Sequence, residues 1–346
     1  MKILVDGAAG FLGRHVVESL VRRGLAVRAT DRAPLPAWDG VERVERDLSE
    51  GLHDLFEGVT HVVHVAGLFD LSAPPAALFA VNEGLTRRVA RAAALAGVAR
   101  FVHVSSVTVY GRPRSVPVRE DAPIRPGSAY ERSKAAGERA LAEVAGLPVV
   151  VLRPSGIYGP HGRYGLAAAI ASLALARARG GKGHRSLRGG PRMTHVHVED
   201  VAEAAAHLVS APGVVGRAFN VADGHAVRWG DLVEALEREL GLEETRPLSL
   251  APWKARWAGR AARLMRARTE RTNAKLAHAW ARLCEERGLE PALRPRLDAS
   301  AYDYWSADHV YAIDALRETG WSPRHPDAIE GLRQTLAWYR ARRWLP

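Results

Sequence analysis

Lys2-Ile3-Leu4-Val5-Asp6-Gly7-Ala8-Ala9-Gly10-Phe11-Leu12-Gly13 runs from a short apolar β-type segment, through glycines spaced three apart, into a helical pattern. Glycines so placed allow a tight turn, close approach of a pyrophosphate to the backbone and close packing of helix against strand. The first N–H groups of the helix then point at whatever fills the turn, and they suit phosphate. Gly7, Gly10 and Gly13, with Phe11 and Leu12 at the helix start, are therefore read as a dinucleotide-binding turn. Asp6, just before the first glycine, is expected to be a local variation of that turn.

Outward from this turn, β-rich runs alternate with helical ones to about residue 155. Lys2 to Asp6, Leu25 to Asp31, Val41 to Arg46, His61 to Val65, Arg100 to Ser105 and Pro148 to Arg153 are near-continuous apolar runs, as strands buried on both faces should be. Phe11 to Arg23, Leu78 to Ala96 and Ala129 to Val144 show helical spacing and end near Gly24, Gly97 and Gly146. The expected class is α/β, a doubly wound parallel sheet with helices on both faces. After Arg153-Pro154 the regularity breaks. His195 to Val198, Asp200 to Val209 and Ala218 to Val221 are expected to return to the first sheet, and the rest is expected to be mainly helical: Asp231 to Leu240, Trp253 to Arg268, Thr272 to Arg287 and Pro326 to Arg342. Residues 1–165 and 195–223 are assigned to the nucleotide-binding domain, and 166–194 and 224–346 to a smaller substrate domain.

The chain has 346 residues and is 47% apolar, enough for a full core. A single cysteine, Cys284, excludes an internal disulfide and any zinc site built on several thiolates, and no metal is expected. The formal charge is +11, spread along the chain and carried mostly by arginine; the lysines are Lys2, Lys134, Lys182, Lys254 and Lys275. With no helix-turn-helix, zinc-finger or RNA-binding signature beside it, that charge does not point to nucleic acid. No apolar run reaches the roughly 20 residues of a membrane span and no signal peptide is read at the start, so a cytoplasmic location is expected.

Asp31 closes the second strand at the distance where an acidic side chain accepts hydrogen bonds from the adenosine ribose, which favours NAD. Arg32 beside it is able to pair with an additional phosphate, so NADP stays open. Tyr130 and Lys134 are four apart at a helix start, one turn from each other on one face. A phenol with a pKa of about 10 is a poor base near neutrality unless a cation stabilises its anion, and Lys134 is such a cation. Ser105 and Ser106 end a buried strand at the sheet edge where ligands bind. A serine there can hold a carbonyl oxygen that gains charge as hydride arrives, while the tyrosine moves the proton.

Five motifs in one order carry a resemblance: the Gly7/Gly10/Gly13 turn, Asn82-Glu83-Gly84-Leu85-Thr86, Ser105-Ser106-Val107-Thr108-Val109-Tyr110-Gly111, Tyr130-x-x-x-Lys134 and Leu152-Arg153-Pro154-Ser155-Gly156-Ile157-Tyr158-Gly159-Pro160. The chain resembles the extended short-chain dehydrogenase/reductases, the superfamily of NAD-dependent epimerases and dehydratases. The resemblance implies a Rossmann-type fold and an NAD(P)-dependent oxidoreductase moving hydride at a secondary alcohol or ketone. It gives Ser106 the carbonyl, Tyr130 the acid/base step, and Lys134 both the tuning of Tyr130 and the nicotinamide ribose. Asp47 and Leu48 resemble the adenine contact, Val65, Ala66 and Gly67 the segment lining the cofactor, and Pro154 the nicotinamide pocket; Asn82 and Ser105 are counted with the cofactor contacts. It also implies a homodimer.

The sugar-nucleotide dehydratases of this superfamily carry an Asp-Glu pair where this chain has Val107 and Thr108, which argues against dehydration but not against 4-epimerisation. Leu68-Phe69-Asp70 and seven tryptophans beyond residue 250 lean the resemblance toward the 3β-hydroxysteroid and sterol dehydrogenase branch, hence a small apolar substrate. A dinucleotide-binding sensor without turnover is the third reading, disfavoured by the intact Ser106, Tyr130 and Lys134. Trp253, Trp257, Ala261 and Leu264 form a stripe opposite Arg256, Arg263 and Arg266; packing on its own domain is the expected role, peripheral contact with an anionic membrane the alternative.

Overall fold

The computed structural model describes residues 1–71, 73–181, 184–242, 247–249, 254, 257, 261, 264–297 and 304–346. Its centre is a seven-stranded parallel sheet: β1 (Lys2–Asp6), β2 (Ala26–Asp31), β3 (Glu42–Glu45), β4 (His61–His64), β5 (Arg100–Val104), β6 (Val149–Pro154) and β11 (Ala218–Val221). The order across the sheet is β11-β6-β5-β4-β1-β2-β3, so the order in which strands are added reverses between β1 and β4. In an open α/β sheet the carboxyl ends at that reversal form the ligand crevice. β1 and β4 are in register from Ile3 opposite His61 to Asp6 opposite His64, which brings the glycine turn beside the segment after β4.

Helices cover both faces because the strands are apolar on both. On one side α1 (Phe11–Arg22) and α6 (Val198–Leu208) pack in a core with Val16, Leu20, Val201 and Phe219. On the other, α2 (Pro75–Phe79) passes through a π-helical turn (Ala80–Leu85) into α3 (Thr86–Leu95), and α3 and α4 (Ala129–Ala142) build a core with Leu55, Val89, Phe101 and Leu141. A separate core joins α5 (Leu166–Ala178), α7 (Trp229–Glu239), α8 (Arg266–Arg287) and α10 (Ala328–Ala341), using Ile170, Leu232, Leu283 and Leu336.

Several expectations change. β10 (His195–His197) does not rejoin the large sheet; it pairs in parallel with β7 (Gly156–Tyr158), and only β11 returns, beside β6. Leu166–Ala178, read as irregular, is helix α5. Its sequence LAAAIASLALARA is apolar nearly all round, as a buried helix is, so it carries no amphipathic period. The late tryptophans are mostly core: Trp321 packs under the large sheet, Trp280 and Trp344 in the helical core, and Trp305 is buried. Of the basic stripe, Trp253 lies outside the described residues, whereas Trp257 and Leu264 are 65% and 88% exposed. Among the described residues no helix is long and apolar enough to cross a membrane.

Candidate active site

The glycine turn is built as its sequence requires. Gly7 has φ +62°, and a Cβ there would stand 2.8 Å from the Ala66 nitrogen. A Cβ on Gly13 would meet the Gly7 carbonyl oxygen at 2.0 Å, so the helix lies flush on the turn. α1 starts at Gly10 with no side-chain cap and no acidic residue in its first turn. Its leading N–H groups thus face the crevice, a cradle that fits a pyrophosphate.

Asp6 does more than vary the turn. Its fully buried carboxylate accepts from the backbone N–H groups of Val65 and Ala66, both at 2.8 Å, and pairs with His64 Nδ1 at 2.6 Å. His64 Nε2 lies 2.9 Å from the Thr86 hydroxyl. The end of β1 is thereby tied to the segment Val65-Ala66-Gly67 and to α3. Asn82, in the π-helical turn, accepts from Leu68 N and donates to Leu68 O and Ser133 Oγ, holding the same segment from the other side.

Asp31 reaches the turn from β2: Oδ2 accepts from Ala9 N and Oδ1 from Ala33 N, each at 3.0 Å. A carboxylate has about four acceptor sites, so lone pairs are left for ribose hydroxyls. Arg32 is exposed beside it. Asp47, after β3, accepts from Ser49 N at 2.8 Å; that bond, the Ser49 hydroxyl and Arg32 hold its carboxyl below the usual range. Leu48 and Pro154 are buried.

The reactive groups come from two elements. α4 begins with a reciprocal cap in which Ser128 accepts from Glu131 N and the Glu131 carboxylate accepts from Ser128 N, placing Tyr130 and Lys134 on the first two turns. Ser106 caps the short turn after β5, its hydroxyl accepting from Thr108 N and Thr108 Oγ1. Tyr130 is 8% exposed and Lys134 6%. Burial pushes the Tyr130 phenol above the ordinary range, and a hydrogen bond with Ser106 works against that rise. Ser106 therefore stands close enough to the phenol to act on it.

Lys134 is held at the end of β5. Its ammonium donates to the Val104 carbonyl at 2.8 Å, and burial pulls its pKa down to about 8 against the raising influence of Glu138. Burial and Glu131 raise the phenol, and Ser106 lowers it. Lys134 faces the cofactor side: a Cβ on Gly67 would lie 3.7 Å from its Nζ and 3.3 Å from Asn82 Oδ1. Glycine at 67 leaves that ground open.

Ser105 is turned away from this pair. Its hydroxyl donates to Glu138 Oε1 at 2.5 Å, joining a buried ion pair in which Arg153 donates Nε and Nη2 to Glu138 at 3.0 and 2.7 Å. Burial opposes the Arg153 charge, and Glu138 outweighs it, holding the guanidinium above its usual pKa. Glu138 was missed from sequence, although Tyr130, Lys134 and Glu138 continue one helix face at steps of four. At the mouth, Phe69 meets Tyr130 edge-to-face with centroids 5.1 Å apart, and Tyr164 stands 6.2 Å beyond Phe69. Phe69 and Tyr164 are 42% and 60% exposed.

Residues 3–222 match the NAD dependent epimerase/dehydratase family. The chain belongs to that family. It is a family of NAD-dependent enzymes, and the extended short-chain dehydrogenase/reductase resemblance is thereby established. Sterol demethylase protein B of Methylococcus capsulatus is 38% identical over 46% of this chain and 52% of its own length. The 3 beta-hydroxysteroid dehydrogenase/Delta 5→4-isomerase of Mycobacterium tuberculosis is 30% identical over 65% of this chain and 66% of its own. The chain thus spans between half and two thirds of those two relatives. A UDP-glucose 4-epimerase of Mycolicibacterium smegmatis is 32% identical over 70% of this chain and 83% of its own. Among solved structures, MoeE5 in complex with UDP-glucuronic acid and NAD has a TM-score of 0.71 at 26% identity, over 99% of both chains. The Bordetella bronchiseptica enzyme WbmG with NAD shares the fold, with a TM-score of 0.72 at 23% identity over 99% of this chain and 94% of its own.

Proposed function

We propose that this chain is an NAD-dependent oxidoreductase that moves hydride at a secondary alcohol or ketone of an apolar substrate, sterol-like or another lipid. The observation that carries the substrate class is the aromatic mouth: the Tyr130 phenol lies behind Phe69, with Tyr164 next in line. Aromatic faces of this kind gain from covering a flat apolar ring, at roughly 25 cal/mol for each Å² taken from water. The 38% identity to sterol demethylase protein B agrees with this choice.

NAD would be held by the Gly7 to Gly13 turn, Asp31, Asp47, Gly67, Asn82 and Lys134, and would supply the hydride acceptor. Ser106 orients the substrate oxygen by hydrogen bonding. Tyr130 donates a proton to that oxygen in reduction and takes it in oxidation. Burial keeps the phenol protonated at neutral pH, so it holds the proton that reduction consumes. Oxidation requires added positive charge at the phenol, and the Lys134 ammonium, released from Val104, is the residue of this chain able to bring it.

The second reading is a nucleotide-sugar 4-epimerase, favoured by the 32% identity to the UDP-glucose 4-epimerase of Mycolicibacterium smegmatis over 70% of this chain. A cofactor-reduction screen with sterols, long-chain hydroxy acids and UDP-sugars separates the two. Release of reduced cofactor with a lipid alcohol is expected; silent interconversion of a UDP-sugar, with no lipid oxidation, would replace the first reading by the second. The same proposal includes a cytoplasmic homodimer paired through first-half helices, where Leu95 of α3 is 91% exposed, and peripheral membrane contact near the exposed Trp257 and Leu264.

A further inference from the structure

We propose that His197, Glu199 and His325 form a binding site for one divalent transition-metal ion of the zinc or nickel class, clamping the segment before α10 to the start of α6. This goes against the sequence expectation of no metal. One ligand atom from each of the three side chains lies within 4.8 Å of the others. Two arise from a His-x-Glu step where β10 passes into α6, and the third arrives from 126 residues further along the chain. Sequence spacing gives no sign of such a set.

Asp200 fixes where His325 stands. Asp200 is fully buried and accepts from the backbone N–H groups of Arg324 and His325 at 2.8 and 3.0 Å, which pins the chain carrying His325 against α6. The two imidazole centroids are 3.9 Å apart with the rings tilted by 34°, and His325 Nε2 is 3.1 Å from Glu199 Oε2. His197 is 3% exposed, and its Nδ1 receives only a long contact of 3.4 Å from Glu199 N. A contact of that length is weak.

Two imidazoles and a carboxylate suit zinc, nickel, copper or cobalt better than the oxygen-seeking magnesium and calcium. On zinc, nitrogen and oxygen donors sit about 2.0–2.2 Å from the ion, hence roughly 3.3 Å from each other, so the set must close by about 1.5 Å at its widest. Cys284, the one thiol of the chain, is buried in the helical core and takes no part. With three protein donors a water completes the coordination.

The test is calorimetric titration of the EDTA-treated full chain with zinc chloride alone, paired with thermal unfolding. His325→Gln and Glu199→Gln probe the site, and His278→Ala, an exposed histidine on α8, probes background binding. The wild type and H278A are expected to take up about one equivalent at micromolar zinc and to gain a few degrees in Tm. H325Q and E199Q are expected to lose both while keeping the metal-free circular dichroism of the wild type. Absence of the equivalent from the wild type, or its survival in both H325Q and E199Q, would overturn the site and leave a plain ion pair.

Discussion

Glu138→Gln removes one negative charge from a buried pair without changing the shape of the side chain. The two side chains are 10% and 7% exposed, and Arg153 makes two hydrogen bonds to the carboxylate. Left with a neutral partner, the guanidinium keeps an amide oxygen, the Tyr110 hydroxyl and the Glu120 carbonyl, the last two at 2.8 and 3.2 Å, and no counter-charge. Removing one partner of a buried pair costs about 3–5 kcal/mol, because the remaining charge is uncompensated. Urea unfolding at pH 7 should show a loss of that size with an unchanged slope. A loss under about 1 kcal/mol would refute the reasoning. The same substitution reaches the site, since the Glu138 carboxylate favours the charged form of Lys134. Without it the Lys134 pKa falls below about 8, and the alkaline limb of kcat/KM should move to lower pH; a limb that stays in place would remove Lys134 from the profile.

Two further outcomes follow from the charges around the sheet. Burial works to raise Glu203, but Arg23, Arg22 and Ser19 outweigh it and hold the carboxyl at about 2, against 4.5 when unfolded. A lowered folded pKa contributes stability above the unfolded value and loses it as pH falls from about 4.5 toward 2; by linkage Glu203→Gln should cost roughly 3 kcal/mol at pH 7 and almost nothing at pH 2, read from urea curves at both. Asp31→Ala should weaken NAD about tenfold or more and NADP much less, because only the unphosphorylated ribose leans on the carboxylate; calorimetry showing equal losses would take Asp31 out of the ribose site.

Local chemistry was legible in the sequence and long-range chemistry was not. The glycine turn is a backbone requirement, so Gly7 and Gly13 announce themselves wherever they stand between strand and helix. Tyr130 and Lys134 share a face because helix geometry puts every fourth residue there. Ser106 ends a strand whose apolar run is continuous. By contrast, the partners of Asp6 and of Ser105 come from β4 and α4, at separations of 58 to 60 and 33 residues, and no period links them. α5 was hidden because a helix buried on all sides has no polar face. The stretch His195–His197 reads as a sheet strand from its composition, yet its partner, β7, is itself a three-residue strand outside the large sheet. Tryptophan content misled for a simple reason: large aromatic side chains fill cores before they line pockets.

The central claim is that the Tyr130 phenol moves the substrate's proton. Its most direct test is steady-state turnover of Tyr130→Phe on an accepted alcohol, alongside its NAD affinity by calorimetry. kcat is expected to fall by about 10²–10⁴ with NAD binding changed by less than about twofold. Turnover near the wild-type rate in a correctly folded Y130F would contradict it.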